Sequence, residues 1–222
     1  MTTGVVQAIL AGLGQNLPIG VYPWARAYHI ALTEPNVVIF TAGKTPDRVA
    51  QGFSFIGPVT TRRHALFKKT SRKLTVRNLD DVKSQGLKVG AMRGDWRAAF
   101  LESRGMTVEL VTGHHQNLMK LLDDRIDLIV LSDLELPITA AQAGIDRAAV
   151  ETALVFDERQ AYILLSKGTQ ESVLTQWRES FHALQSTDFF QQQSRKWSEI
   201  LDMPISYAPD TGFMVVPASR KN

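Results

Sequence analysis

Thr45-Pro46-Asp47-Arg48, directly behind the apolar run Val37–Thr41, joins a strand end to a helix start that carries a cation. Thr45 can cap the turn with its hydroxyl, Pro46 suits the first helical position, and the exposed N–H groups of that turn carry partial positive charge. Arg48 adds a planar fork of donors that matches a carboxylate or a phosphate two-pronged. The expected chemistry is capture of a small anion. The plainer alternative is an ordinary strand, turn and helix with a surface arginine, so the other strand ends have to decide.

Those ends carry a matching inventory. In open parallel sheets the ligand lies beyond the carboxyl ends of the strands. There stand Thr41, Gly43 and Arg48 in the first half of the chain, and Arg93-Gly94-Asp95-Trp96 and Ser132-Asp133 in the second. One arginine, two carboxylates, a small hydroxyl and an aromatic suit a small polar ligand with a carboxylate and an amine. They form no catalytic grouping. Asp133 has a second role open to it, capping a helix that starts at Leu134. Trp24 is expected to pack between helix and sheet before it serves as a stacking platform. His114-His115 lacks the i, i+4 spacing and nearby acid of a helical metal site, and the remaining histidines are isolated. Neither metal nor cofactor is expected.

The elements that must position these residues follow from a period that switches between helix and strand. Val5, Val6, Ile9, Leu10 and Leu13 fall on one helical face, closed by Gly14. Ile19–Tyr22 is expected as a short strand, and Trp24–Leu32 as a helix with Trp24 and Tyr28 on one side. Gly57-Pro58 marks a turn-like passage before a strand at Ala65–Lys68. Strands at Leu87–Met92, Thr107–Val111 and Ile126–Leu131 alternate with helices at Trp96–Ser103, Asn117–Asp123 and Leu134–Ala143, which implies parallel sheet with right-handed crossovers. Val150–Phe156 and Ala161–Leu165 are expected as two strands separated by a polar turn, and the C-terminal part as helices over Glu171–Leu184 and Phe189–Ile200.

Composition bounds the function classes. At 222 residues the chain can be one α/β domain or two lobes, and 44% hydrophobic residues support a real core. Lys+Arg 25 against Asp+Glu 22 gives a net charge of only +3, and much of the excess lies between Arg62 and Arg77. Phe67 is the one Phe, Trp or Tyr interleaved with that run, so a solvated edge is expected and not a nucleic-acid partner. The absence of cysteine removes disulfides, zinc ribbons and thiol nucleophiles together. Met1–Val6 shows neither the charge nor the cleavage pattern of a signal peptide, and no apolar run approaches the ~20 residues of a membrane span.

Several segments in order resemble one family: Pro23-Trp24-Ala25-Arg26-Ala27, then Val37–Thr41 with Thr45-Pro46-Asp47-Arg48, then Gly57-Pro58, then Leu79-Asp80-Asp81-Val82 before Lys88-Val89-Gly90, then Arg125-Ile126-Asp127. Over about Gly4 to Trp197 the chain is similar to bacterial extracytoplasmic solute-binding proteins of family 3, the polar amino-acid-binding proteins of ABC transporters. The resemblance implies an α/β fold of the two-lobed periplasmic-binding-protein type II, each lobe a mainly parallel sheet flanked by helices. Lobe 1 would comprise 1–61 and 170–222 and lobe 2 would comprise 62–169, with hinges near Thr60-Thr61 and Asp157–Gln160. It further implies capture of a small amino-acid-like ligand in an interlobe cleft, for periplasmic uptake through an ABC permease, without enzymatic turnover.

Residue by residue, the resemblance gives Arg48 the ligand's α-carboxylate, Thr41 a neighbouring hydroxyl role and Asp133 the ligand's ammonium. Gly43 stands where serine is common, and Asp95-Trp96 where Ser/Thr-Thr is common, so the extra carboxylate at Asp95 points to a more cationic ligand. The same fold also serves as a periplasmic cyclohexadienyl dehydratase, as a sensor input domain and as the effector half of LysR-type regulators. The first would draw its acid or base from Asp95 or Asp133. The family's first strand precedes the helix that starts here near Val5. Its loss would bare the edges around Ile19–Tyr22 and Val37–Thr41, to be filled by a dimer through lobe 1 or by Thr211–Val216.

Overall fold

In the computed structural model, residues 1–216 are described, and they divide into two compact units, 1–61 with 159–216 and 62–158. The divisions fall inside two long strands. β2 (Ser54–Lys69) and β6 (Val150–Leu165), each of 16 residues, are hydrogen-bonded neighbours, and each gives one half to either unit.

In the first unit, helix α1 (Thr2–Gly12) buries Val5, Val6, Ile9 and Leu10, as its apolar spacing requires, and packs against α8 (Glu171–Gln185). Gly14 follows in the left-handed region at φ 65°, the conformation that lets a chain leave a helix at no side-chain cost. Residues 15–23 have no regular structure, contrary to the strand expected at Ile19–Tyr22. An isolated extended segment becomes a strand only by pairing, and among the described residues nothing pairs with this one. Helix α2 (Trp24–Thr33) follows Pro23, and β1 (Val38–Gly43) pairs antiparallel with the second half of β6 from Val38↔Leu165 to Gly43↔Ala161. That pairing places 159–169 in the first unit, where the sequence had grouped it with the second.

Helix α3 (Pro46–Ala50) starts as expected, with Thr45 Oγ1 accepting from the Arg48 N–H at 3.4 Å. Gly57-Pro58 does not end the strand. It sits inside β2 as a cis peptide, and β2 begins eleven residues earlier than Ala65, at Ser54. Strand β6 likewise runs unbroken through Asp157–Gln160, where a turn was expected. A run of four polar residues reads as a turn in the sequence, but the pairing of β6 carries it through as strand.

The second unit holds α4 (Leu79–Ser84), β3 (Lys88–Met92), α5 (Trp96–Glu102), β4 (Thr107–Val111), α6 (His114–Leu122), β5 (Leu128–Ser132) and α7 (Leu136–Ala143). Strand β3 lies between β4 and β5, parallel to both, and β5 pairs antiparallel with β2. All five residues of β5 are buried, which a strand covered on both faces requires. Leu66, Leu128 and Val130 belong to an apolar cluster with Leu101 of α5, while Phe67, Ile129 and Leu131 belong to another with Leu118 and Leu121 of α6.

Helix α9 (Phe189–Leu201) leads into β7 (Ile205–Ala208) and β8 (Gly212–Val215), an antiparallel pair. Strand β8 also pairs in parallel with β2 at Thr60↔Phe213. The apolar C-terminal stretch therefore lies against β2 and not in a gap beside β1. Phe213 is fully buried between that ladder and the rings of Phe190 and Tyr207. Truncating it leaves a ring-sized cavity, so Phe213→Ala is expected to cost the first unit about 3–5 kcal/mol, seen as a lowered urea midpoint of tyrosine fluorescence. An unchanged midpoint would show that β8 is no part of the unit's core.

Candidate functional site

The face of the first unit around Arg48 is built by α2, β1 and α3 together. Trp24 and Tyr28 are four residues apart on α2, and their rings stack with centroids 5.7 Å apart. Tyr28 in turn stacks on Phe53 at 5.9 Å. The Arg48 guanidinium lies 5.4 Å from the Trp24 ring centre and 5.2 Å from that of Tyr28, within cation–π range of both. Its Nη1 donates to the Gly43 carbonyl oxygen at 2.6 Å. A guanidinium has five N–H donors, and among the described residues this is the one hydrogen bond the Arg48 guanidinium gives. The head group is therefore held flat by aromatic faces and by one carbonyl, with its remaining donors unspent.

Trp24 is thus a stacking platform, 47% exposed, and not the packing residue expected between helix and sheet. Tyr28 is the residue that sequence reasoning missed as a site member, although its i, i+4 spacing from Trp24 was visible. Thr41 occupies the irregularity between Phe40 and Ala42 in β1, at φ 66°. A β-branched residue pays a steric penalty there, and such strain gathers at functional positions. Lys44 lies 5.5 Å over the Phe55 ring, adding a second cation to this face.

The end of the second unit is organised by a different arginine. Arg97 is 4% exposed, donates through Nε and Nη2 to both oxygens of Asp95 at 2.6–3.0 Å, and through Nη1 to Glu135 Oε2 at 2.6 Å. Asp95 also caps α5 by accepting the Arg97 backbone N–H at 2.9 Å. Burial pushes the Glu135 carboxyl upward, but the charge of Arg97 and its hydrogen bonds overcome this and hold the pKa at about 2. His114 Nε2 lies 3.8 Å from Asp95, and burial followed by the nearby Arg97 charge lowers its pKa, which favours neutral imidazole. Neither Arg97 nor Glu135 stood out in the sequence, and His114 was weighed there only as a metal ligand, since their spacing is long and their meeting depends on three strand ends.

Asp133 is likewise engaged. Its Oδ1 accepts from the backbone N–H groups of Arg63 and Leu134, and its Oδ2 pairs with Arg63 Nε at 3.3 Å. It does not cap α7, whose N-cap is Glu135. Desolvation raises the Asp133 pKa, in spite of these partners. The two acids from which a negative site was expected thus each carry an arginine of their own. Trp96, 37% exposed, meets His64 edge-on at 5.0 Å and Phe100 at 5.9 Å, so this end also presents an aromatic surface. Among the described residues no group of acidic and histidine side chains is arranged to hold a metal ion.

No protein-family model and no curated protein matches the sequence. Solved structures do match in fold. The chain is similar to a mutant of the arginine-binding protein ArgBP from T. maritima, at TM-score 0.68 and 15% identity over 89% of this chain and 84% of that one. It is similar to an ABC uptake transporter substrate-binding protein from Streptococcus pneumoniae with bound histidine, at 0.67 and 17% over 88% and 81%. It is similar also to a histidine kinase sensor domain with similarity to periplasmic binding proteins, at 0.69 and 17% over 88% and 84%. The fold is the α/β, two-lobed periplasmic-binding-protein type.

The Glu135 pKa has a measurable consequence for the second unit. A carboxyl depressed on folding stabilises fully above its unfolded value near 4.5, and that contribution disappears as pH falls toward about 2. Because the side chain stays 35% exposed, solvent screening reduces the effect to about 1 kcal/mol. Glu135→Gln should therefore melt lower than the parent chain at neutral pH, and the two melting curves should converge across that acid window. Parallel melting temperatures from pH 7 to pH 2 would show that Glu135 contributes nothing through its charge.

Proposed function

We propose that this chain is an extracytoplasmic solute-binding protein that holds a small amino-acid-like ligand and delivers it to an ABC permease, without transforming it. The observation that carries the proposal is Arg48: a guanidinium fixed by Trp24, Tyr28 and the Gly43 carbonyl, with donors left for a carboxylate. Thr41 and Gly43 border that position on β1, and the Trp24 ring supplies an apolar wall. Binding without turnover fits the acids as well, because Asp95 and Asp133, the two that could act as acid or base, are committed to Arg97 and Arg63. Asp133 keeps one acceptor lone pair on Oδ2 for an ammonium, and Trp96 offers an aromatic contact beside it in the second unit. A periplasmic location follows from this role.

The proteins of similar fold whose names specify a ligand carry arginine, histidine or glutamine, which makes these the first compounds to test. A sensor input role is the second reading, favoured by the similarity to a kinase sensor domain, and it would use the same Arg48 face.

The carboxylate is the group this proposal makes indispensable. Arginine and histidine should raise the melting temperature, while agmatine and histamine, which lack the carboxylate, should not. Arg48→Lys loses the two-pronged geometry and should weaken Kd by about two to three decades, or roughly 3–4 kcal/mol, by calorimetry. Equal shifts from the amines, or an unchanged Kd in the variant, would remove Arg48 from the site.

A further inference from the structure

A preference for cationic ligands would need unneutralised carboxylates, and Asp95 and Asp133, on which that expectation rested, are each neutralised by an arginine. Asp95 gives both oxygens to Arg97, and Asp133 pairs with Arg63 Nε at 3.3 Å while accepting two backbone N–H groups. The balance on the first unit runs the other way. Lys44, in the connection from β1 to α3, and Arg48, in the first turn of α3, are four residues apart. Neither makes an ion pair among the described residues. Asp47, the acid nearest to both in sequence, is exposed and pairs with neither.

Both cations are held in the same way. Arg48 lies over Trp24 and Tyr28, and Lys44 Nζ lies 5.5 Å from the centre of the Phe55 ring. A ring face orients a cation without cancelling its charge. The two positions are joined through β1: Phe55 meets Tyr162 edge-on at 6.0 Å, Tyr162 is the cross-strand partner of Ala42, and the carbonyl of the next residue, Gly43, holds Arg48. Gly43 adds no bulk of its own there. A Cβ on it would meet Arg48 Nη1 at 3.7 Å and the Gln160 carbonyl oxygen at 3.8 Å. Two oriented, unpaired cations about a residue without a side chain suit a ligand with two anionic groups. A single carboxylate would leave one positive charge unmatched, and a cationic side chain would add a third.

We propose that the ligand of the Arg48 face is a dicarboxylate of the acidic amino-acid class, with its α-carboxylate on Arg48 and its side-chain carboxylate on Lys44. This assignment rests on the ligand-binding reading of Arg48 and narrows it. Lys44 is then the residue that selects acidic over neutral and cationic side chains. A lysine ammonium is a point charge on a flexible stem and imposes no two-pronged geometry, so it reads the second charge more strictly than its distance from the first, and both aspartate and glutamate should be accepted.

The test is calorimetry on the whole chain with L-glutamate, its amide L-glutamine, which has the same shape without the charge, and L-arginine. Glutamate should bind about tenfold more tightly than glutamine, and arginine more weakly than either. In Lys44→Met the ratio of the glutamine Kd to the glutamate Kd should fall from about ten to about one, and in Lys44→Glu it should drop below one. Both substitutions fall at an exposed position, where the fold does not depend on the side chain. Glutamine binding as tightly as glutamate, arginine binding most tightly of the three, or a ratio unmoved in Lys44→Met would each overturn this inference and leave the Arg48 reading standing. Binding of none of the three would overturn both.

Discussion

Backbone pairing of two long strands underlies both units. Strands β2 and β6 each present 16 consecutive residues whose N–H and C=O groups must be satisfied, and buried unpaired groups are expensive. The halves in 62–158 receive β5 next to β2, and through it β3 and β4. The halves in the other unit receive β1 next to β6 and β8 next to β2. Each short strand then drags its preceding or following helix onto a face of the sheet, and the strand ends set where the charged side chains emerge. Arg48, Arg97 and Asp133 all stand within a few residues of such an end.

The two charged centres differ in what their surroundings have already used. Arg97 is saturated: two carboxylates and a burial of all but 4% leave it as a post that fixes the β3 and β5 ends together. Removing such a post would leave its partners buried and unpaired, which is why buried pairs break at high cost even when they add little net stability. Arg48 is held by rings and one carbonyl, which orient it without neutralising it. An oriented, unneutralised cation can take an anion without reorganising, and the proposed role of Arg48 as the ligand-directed group rests on that difference.

The first unit is less completely paired than the second. Its α1 and α8 pack together, yet the segment between α1 and α2 has no regular structure and, among the described residues, the outer edge of β1 is unpaired. Val21, 93% exposed, lies in that segment. Strand β3 of the second unit, by contrast, is paired on both edges.

By itself, the sequence determined what depends on neighbours within a turn or two. The α1 face, the Thr45 cap with Pro46 behind it, the β4 strand at Thr107–Val111 and the alternation of helices and strands through 62–144 all follow from local period and capping, and all are present. The position of Arg48 in the first turn of α3 was legible for the same reason. Tertiary structure decided everything set by pairing across the chain. Ile19–Tyr22 has strand-like residues but no partner, so it is not a strand, while Gly57-Pro58 and Asp157–Gln160 look like interruptions but lie in strands whose partners carry them through. The acids at Asp95 and Asp133 kept their positions at strand ends but lost their expected availability. Their arginine partners are Arg97, two residues away and turned back by a helix start, and Arg63, seventy residues away on a neighbouring strand. Charge composition alone carries no record of which ions meet, because burial and ladder register, not residue type, determine who neutralises whom.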